Sequence, residues 1–179
     1  MKLRDGVKAA AGYGGVNQIY RYWLIREWQV GRKMLFIMLN PSTATEEVDD
    51  PTVRRCQDVA KIMGYGGIVV CNLFAYRATD PKEMKKAFDP VGPDNDMTLM
   101  AEAKRAQEEE ALVVAAWGTH STFRSRGASV TQMLTSAGVT LHCLGETTRA
   151  GHPRHPLYTP ANAGLDVWRQ SLIVPRDSA

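Results

Sequence analysis

The side chains in this sequence that could do chemistry are polar groups that follow apolar runs. Asn40 and Asn72 each stand at the end of such a run, Gly118 follows a third run, and His155 lies in a loop after a fourth. An amide offers both a hydrogen-bond donor and an acceptor, and a neutral imidazole can donate to an atom that gains negative charge. These residue types predict a site that binds and acts on a polar organic molecule.

The segments that must position these side chains alternate in periodicity. Four continuous apolar runs predict strands buried on both faces: 33–39, 67–71, 111–117 and 139–144. Three segments with apolar residues at every third or fourth position predict helices: 51–63, 95–107 and 130–137. Alternating strands and helices predict an α/β protein, specifically a three-layer α/β/α fold with a mainly parallel four-stranded sheet.

The N-terminal part differs in composition. The aromatic segment 20–28 predicts a further strand, and the turn-forming residues 29–32 predict an antiparallel hairpin between it and 33–39. Residues 1–16, rich in Ala and Gly near 9–15, predict a flexible arm. At 179 residues, the chain is expected to form a single domain, 1–179.

Ligands of parallel α/β proteins bind beyond the carboxyl ends of the strands. We therefore expect Asn40, Asn72, the Trp117–Gly118 pair and His155 to converge on one cleft. Simpler explanations exist for single residues: Asn40-Pro41-Ser42 could be only a turn, Asn72 could cap loop backbone, and Arg77 could form a surface ion pair. The acidic residues 46–50 could be a solvated loop with a helix cap.

Composition and charge exclude several classes of protein. No apolar stretch is long enough to span a membrane, and the N-terminus has no apolar core of a signal peptide, so the sequence predicts a cytoplasmic protein without membrane contact. The net charge of +3 is uneven, with basic ends and an acidic middle, which favours contact with a polyanion on one side. The three cysteines form no C-x-x-C pair, so we expect buried thiols and no disulfide scaffold.

Nucleotide-binding and catalytic motifs of common enzyme classes are missing. The sequence has no G-x-x-x-x-G-K-[ST] loop, no G-x-G-x-x-G after a strand, no G-x-S-x-G elbow and no H-E-x-x-H pair. His152 and His155 are separated by Pro153, which makes a shared helical face for a metal implausible. We therefore expect neither a metal nor a cofactor.

Six segments together resemble an uncharacterised bacterial and phage family, known only as a domain of unknown function. They are Tyr-Arg-Tyr-Trp-Leu at 20–24, Leu-Asn-Pro-Ser-Thr-Ala at 39–44, Asp-Asp-Pro-Thr at 49–52, Asn-Leu-Phe-Ala-Tyr-Arg at 72–77, Ala-Trp-Gly at 116–118 and His-Pro-Leu-Tyr at 155–158. This resemblance covers nearly the whole chain and implies no function.

A more distant resemblance is to the uracil-DNA glycosylase superfamily, whose α/β/α fold has a four-stranded parallel sheet. The run Leu39-Asn40-Pro41-Ser42 resembles the loop that positions water, 72–77 resembles the base-reading asparagine followed by arginine, 113–118 resembles the third strand, and His155-Pro156 resembles the catalytic histidine motif. Thr52 stands where an aromatic residue usually stacks on the base, so this role would pass to Phe74, Tyr76 or Trp117. Ser42 replaces a glycine, and the cysteines of an iron–sulfur centre are missing.

This resemblance implies a glycosylase-like hydrolase that cleaves the N-glycosidic bond of a base or modified base in DNA or in a nucleotide. The catalytic residues would be Asn40, His155 and Asp49, with Asp50 as the alternative acid. The substrate-binding residues would be Pro41, Ser42, Asn72, Phe74, Arg77, Trp117, Gly118 and Tyr158. Arginines available for phosphates are Arg77, Arg124, Arg126, Arg149 and Arg154. The alternatives are an inactive module that binds nucleotides or nucleic acid, and a small-molecule nucleotide enzyme.

Overall fold

The computed structural model describes residues 1–160 and 162–169, which form a seven-stranded sheet with α-helices packed against it. The strands are β1 (Lys8–Gly14), β2 (Tyr20–Glu27), β3 (Lys33–Met38), β4 (Gly67–Asn72), β5 (Val113–Ala115), β6 (Leu141–Leu144) and β7 (Leu165–Val167). The α-helices are α1 (Pro51–Ile62), α2 (Pro81–Lys86), α3 (Asn95–Glu108) and α4 (Arg126–Ser136). No helix among the described residues combines the length and the apolar character needed to span a membrane.

The sheet is mixed, with strand order β1-β2-β4-β3-β5-β6-β7. The central strands β4, β3, β5 and β6 pair in parallel, whereas β1, β2 and β7 add antiparallel pairings at the two sides. The predicted α/β class is confirmed, but a sheet of four strands plus one hairpin strand is wrong. The carboxyl ends of these four strands nevertheless lie at one edge of the sheet, because the strands pair in parallel.

The predicted hairpin between β2 and β3 is also wrong, because β4 lies between these two strands. The loop after β2 contacts the loop before β4 instead: the backbone N–H groups of Trp28 and Gln29 donate to the carbonyl of Gly66 at 3.0 and 3.2 Å. β3 is the more completely buried strand, and parallel pairing with β4 and β5 satisfies both of its edges. Nearness in the sequence therefore does not decide the pairing here.

Residues 8–14 form β1 rather than part of a flexible arm. β1 pairs with β2 from Lys8 opposite Glu27 to Gly14 opposite Tyr20, so backbone pairing orders a segment that has little apolar alternation. The register shifts between Gly12, which pairs with Trp23, and Tyr13, which pairs with Arg21, and leaves an extra residue on β2. This bulge changes the face of the sheet on which the Arg21 side chain lies.

The bulge matters because two arginines of β2 both approach the beginning of α1. Unbroken alternation along a strand would place Arg21 and Arg26 on opposite faces of the sheet. With the extra residue between them, Arg26 contacts Asp49 and Arg21 lies beside the cavity that Asp50 lines. Both side chains are almost completely buried.

Helix α1 begins at the predicted residue and ends one residue before the predicted end. The Asp50 carboxylate accepts a hydrogen bond from the Val53 N–H at 2.8 Å, and Pro51 occupies the first helical position. The buried side chains of α1 include Val53, Cys56 and Ala60. The cysteines of the chain are buried and free, as predicted, and burial raises the pKa of the Cys56 thiol.

A buried ion pair connects β2 to the loop before α1. Arg26 Nε lies 2.8 Å from Asp49 Oδ1, with no exposed area on either side chain, and Gln57 Nε2 donates to Asp49 Oδ2 at 3.0 Å. The guanidinium also donates to the backbone carbonyls of Thr45 and Val48. The pair therefore holds the segment that leads from β3 to α1 against the sheet.

We expect Asp49→Asn to lower the free energy of unfolding by about 3–5 kcal/mol, because it leaves the buried charge of Arg26 without a counter-charge. Asp58→Asn is the matched control, since its ion pair with Arg4 is partly exposed and such pairs contribute about 1 kcal/mol or less. Urea unfolding of the two variants and the parent measures the difference. Equal losses in both variants would contradict a dominant role for the buried pair.

Candidate functional site

A cavity of about 550 Å³ lies beyond the carboxyl ends of β3 and β5. This is the size and position expected of a small-ligand site in a protein with parallel strands. Six of the residues predicted for the site line this cavity: Asn40, Ser42, Trp117, Gly118, His155 and Tyr158. The loops after β3, β5 and β6 thus contribute to one wall, although they are far apart in the chain.

The Asn40 side chain is held in one orientation by its nitrogen. Nδ2 donates to the carbonyl of Ala78 at 2.7 Å and to the carbonyl of Pro41 at 3.1 Å. Because both donors of the amide are used by backbone, Oδ1 is the atom left for a ligand. Asn40 therefore contributes a hydrogen-bond acceptor to the cavity.

The His155 ring, in contrast, offers a hydrogen-bond donor to the cavity. Its Nδ1 accepts a hydrogen bond from the backbone N–H of Leu157 at 3.3 Å, at the start of a 3₁₀ helix, Pro156–Tyr158. Burial lowers the pKa of His155, an effect that the negative charge of Asp50 partly offsets, so the imidazole is neutral at pH 7. With Nδ1 acting as acceptor, the proton of the neutral ring resides on Nε2. His155 therefore contributes a neutral donor.

Gly118 and Trp117 hold the His155 loop against the end of β5. Gly118 has φ +70°, a left-handed conformation that favours glycine, and its N–H donates to the carbonyl of Pro153 at 3.0 Å. A Cβ atom at Gly118 would lie 3.9 Å from the Cβ of His155. The Trp117 ring packs edge to face on Trp168, with 5.4 Å between ring centroids. The loop that carries the imidazole is therefore fixed by backbone and by aromatic packing.

Asp50, not Asp49, is the acid of this cavity. Asp49 was predicted as a catalytic residue, but its carboxylate is fully buried between Arg26 and Gln57 and does not line the cavity. Its neighbour Asp50, the N-cap residue of α1, does line the cavity. The charge of Asp50 acts on both His155 and Arg21, as expected for groups around one site.

Arg21 is a cavity residue that sequence reasoning missed. Its side chain is 1% exposed, its Nη1 donates to the Ala44 carbonyl, and its Nε has no partner within the described part of the chain. Burial lowers its pKa to about 10, while Asp50 acts in the opposite direction, so the guanidinium stays protonated at neutral pH. The sequence does contain an indication of this role, because Arg21 is a charged residue inside the aromatic, strand-forming segment 20–28, and charged residues are rarely buried.

Asn72 and Phe74 do not line the cavity, although both were predicted to bind the base. Asn72 is fully buried, and neither atom of its side-chain amide has a partner among the described residues. Its backbone carbonyl accepts from Asn95 Nδ2 at 3.0 Å. Phe74 is fully buried and packs against Phe123 with ring centroids 5.7 Å apart. The end of β4 thus belongs to the interior, where Asn72 pairs with Met38 of β3 and Asn95 of α3 covers the backbone.

Pro41 and Arg77 also lie outside the cavity wall. The Pro41 carbonyl accepts from the N–H of Ala78 at 3.0 Å, which ties the loop after β3 to the segment that follows β4. Arg77 Nη1 donates to the Gln18 carbonyl at 3.1 Å, and its guanidinium lies over the Tyr13 ring. Their interactions are with protein backbone and with a neighbouring ring.

Of the arginines considered for phosphate binding, Arg154 lines the cavity, where its Nε donates to the Glu146 carbonyl at 3.0 Å. Arg126 instead pairs with Asp96 and donates to the Leu73 carbonyl. Thr52, which replaces an expected aromatic residue, also lines the cavity, as does His120. Within the described residues, no group of three or more His, Cys, Asp or Glu side chains is placed to hold a metal ion.

Comparison with known proteins identifies a family for this chain. A family described as "Protein of unknown function (DUF1643)" matches residues 21–157, a range that contains Asn40, Asp50, Gly118 and His155. Comparisons with curated proteins and with solved structures returned no match. The resemblance to an uncharacterised domain family is confirmed, because the match covers most of the sequence: this protein belongs to the DUF1643 family of proteins of unknown function.

Proposed function

We propose that this protein is a hydrolase that cleaves the N-glycosidic bond of a base or modified base, in DNA or in a nucleotide. One observation carries the proposal: the Asn40 acceptor and the neutral His155 donor line the same cavity at the ends of parallel strands. The positions of these two residues after predicted strands and the resemblance to the uracil-DNA glycosylase superfamily both favour this assignment. The four parallel central strands β4, β3, β5 and β6 are the part of the sheet to which this resemblance applies.

The reaction needs an acceptor and a donor on opposite sides of the bond that breaks. When the bond between the sugar C1′ and the base nitrogen breaks, its electron pair goes to the base and positive charge develops on the sugar. A donor that hydrogen-bonds the base stabilises its growing negative charge, which is the role we assign to Nε2–H of His155. A neutral imidazole suits this role, because it stabilises the anionic base by a hydrogen bond and keeps its own proton.

The water that completes the reaction requires positioning. Asn40 Oδ1 can accept a hydrogen bond from a water molecule and direct its oxygen toward C1′. The Asp50 carboxylate lines the same cavity and can stabilise the positive sugar or accept the proton that water releases. The released proton is finally taken by the departing base, so the products are a free base and a sugar with a hydroxyl at C1′.

The aromatic group that stacks on the base is best assigned to Trp117. Among the three candidates suggested by the sequence, Trp117 lines the cavity, whereas Phe74 and Tyr76 are absent from its wall. Tyr158, which is largely exposed, stands at the cavity and offers a second ring near solvent. Stacking on such rings offsets part of the cost of removing a base from a duplex.

We expect His155→Ala to slow base release by about 10²–10³-fold, because one donor to the developing anion is lost. Asn40→Ala is expected to slow release by about 10²-fold through misplacement of water. Single-turnover release from oligonucleotides and nucleotides that carry uracil, hypoxanthine or modified bases measures both effects. His142→Ala is the matched control, since this histidine lies on β6 away from the cavity wall.

Two results would contradict this assignment. Equal rates of base release for the parent, His155→Ala and Asn40→Ala would show that these two cavity residues take no part in the release. Salt-dependent binding of the same substrates by folded parent protein, without release of any base, would favour the binding-module alternative.

The pH dependence of release is expected to follow the neutral form of His155. Because burial lowers the pKa of His155 below its ordinary value near 6.5, the rate should hold as the pH falls through 6.5 and decline only at lower pH. In His155→Gln, an amide donor replaces the imidazole and does not titrate, so the part of this decline that comes from His155 should disappear while the rate stays below that of the parent. A rate-against-pH profile of both proteins tests this, and an unchanged acidic limb in His155→Gln would contradict it.

A further inference from the structure

Two buried arginines of β2 face the same region but differ in their partners. Arg26 is neutralised by Asp49 and donates to several backbone carbonyls. Arg21 has no ion pair within the described residues and donates to one backbone carbonyl, that of Ala44. Both side chains have almost no exposed area, so solvent does not account for the difference. The contrast identifies Arg21 as a buried cation that lacks an anion.

The free hydrogen-bond donors of Arg21 lie along one edge of its guanidinium. Nη1 is used by Ala44, whereas Nε lacks a partner and no hydrogen bond is found for Nη2 in the described part of the chain. Nε–H and Nη2–H together form the planar pair with which an arginine binds two oxygens of a phosphate or carboxylate. Arg21 lines the cavity, so a ligand there is the available source of such oxygens.

The charges around the cavity favour an anionic ligand near Arg21. The charged side chains of its wall are Arg21, Arg154 and Asp50, with neutral His155 and with His120 beside them. Asp50 forms no ion pair with Arg21, and one of its oxygens already accepts from the Val53 N–H. A buried cation without a counter-charge costs stability, and a bound anion would remove that cost.

We propose that Arg21 binds the terminal phosphate of a mononucleotide and that the substrate is a free nucleotide rather than a polymer. The nucleotide part of this inference rests on the function proposed above. Arg21 is 1% exposed, so only a small group at the end of a ligand reaches it. A phosphodiester inside DNA would require the polymer to enter and leave through the interior beside Met38 and Leu39.

The parent protein alone provides the first test. Isothermal titration compares inorganic phosphate, the four common 2′-deoxynucleoside 5′-monophosphates, the corresponding nucleosides and short oligonucleotides without terminal phosphates. We expect at least one monophosphate to bind about tenfold or more tightly than its nucleoside. Equal affinity for nucleosides and monophosphates would overturn the phosphate site, and tighter binding of the oligonucleotides would overturn the free-nucleotide substrate.

Arg21→Gln provides the second test, with Arg105→Gln as the control for loss of an exposed arginine. Without phosphate, we expect Arg21→Gln to unfold at the same temperature as the parent or at a higher one, because the unpaired buried charge is removed. With phosphate or the best monophosphate, the parent and the control should gain stability and Arg21→Gln should not. If Arg21→Gln fails to fold, or is less stable than the parent and still gains stability from phosphate, Arg21 has a structural role and the proposal fails.

The outcome for the phosphate site is separable from that for the reaction. Base release that shows no preference for monophosphates over nucleosides would leave the hydrolase standing and remove the phosphate site. Binding of monophosphates that depends on Arg21, without release of a base, would support the phosphate site and count against the hydrolase.

Discussion

The ion pair between Arg26 and Asp49 is the interaction on which the rest of the candidate site depends. The pair is inside the protein, where an unpaired charge costs stability, and it connects the C-terminal end of β2 to the segment before α1. That segment carries Asn40 at one end and Asp50 at the other, and the backbone of Ala44 between them holds Arg21. Asn40, Asp50 and Arg21 are therefore positioned by an ion pair that does not itself line the cavity.

The parts of the fold that could be predicted from the sequence are those in which burial dictates a local pattern. β3 and β4 are buried on both faces and have continuous apolar sequences, and α1 has both a cap residue and a proline at its beginning. The same reasoning predicted the edge of the sheet beyond which both Asn40 and His155 line the cavity. β1 and β7 were missed because their order comes from pairing with β2 and β6 and not from their own alternation.

What could not be predicted depends on strand order and on contacts between distant segments. Nothing in the sequence of β2 indicates that β4 separates it from β3, and nothing in the sequence of β4 indicates that Asn95 of α3 covers the backbone at Asn72. Which of the two acids, Asp49 or Asp50, lines the cavity likewise depends on a contact with a distant segment. Arg26 of β2 forms an ion pair with Asp49, and Asp50 lines the cavity. For similar reasons, the sequence shows that Arg21 is a charged residue inside an aromatic strand but does not show that its side chain lines the cavity.

The bulge in β2 makes the electrostatic character of the cavity depend on strand register. One additional residue between the pairs Gly12–Trp23 and Tyr13–Arg21 turns the guanidinium of Arg21 to the side of the sheet on which α1 begins. A deletion of one residue there would restore alternation and exchange the faces of every side chain before it, so that Arg21 left the cavity and a neutral neighbour took its place. The charge of the cavity can thus be altered by an insertion or deletion in a strand, without substitution of any residue that lines the cavity.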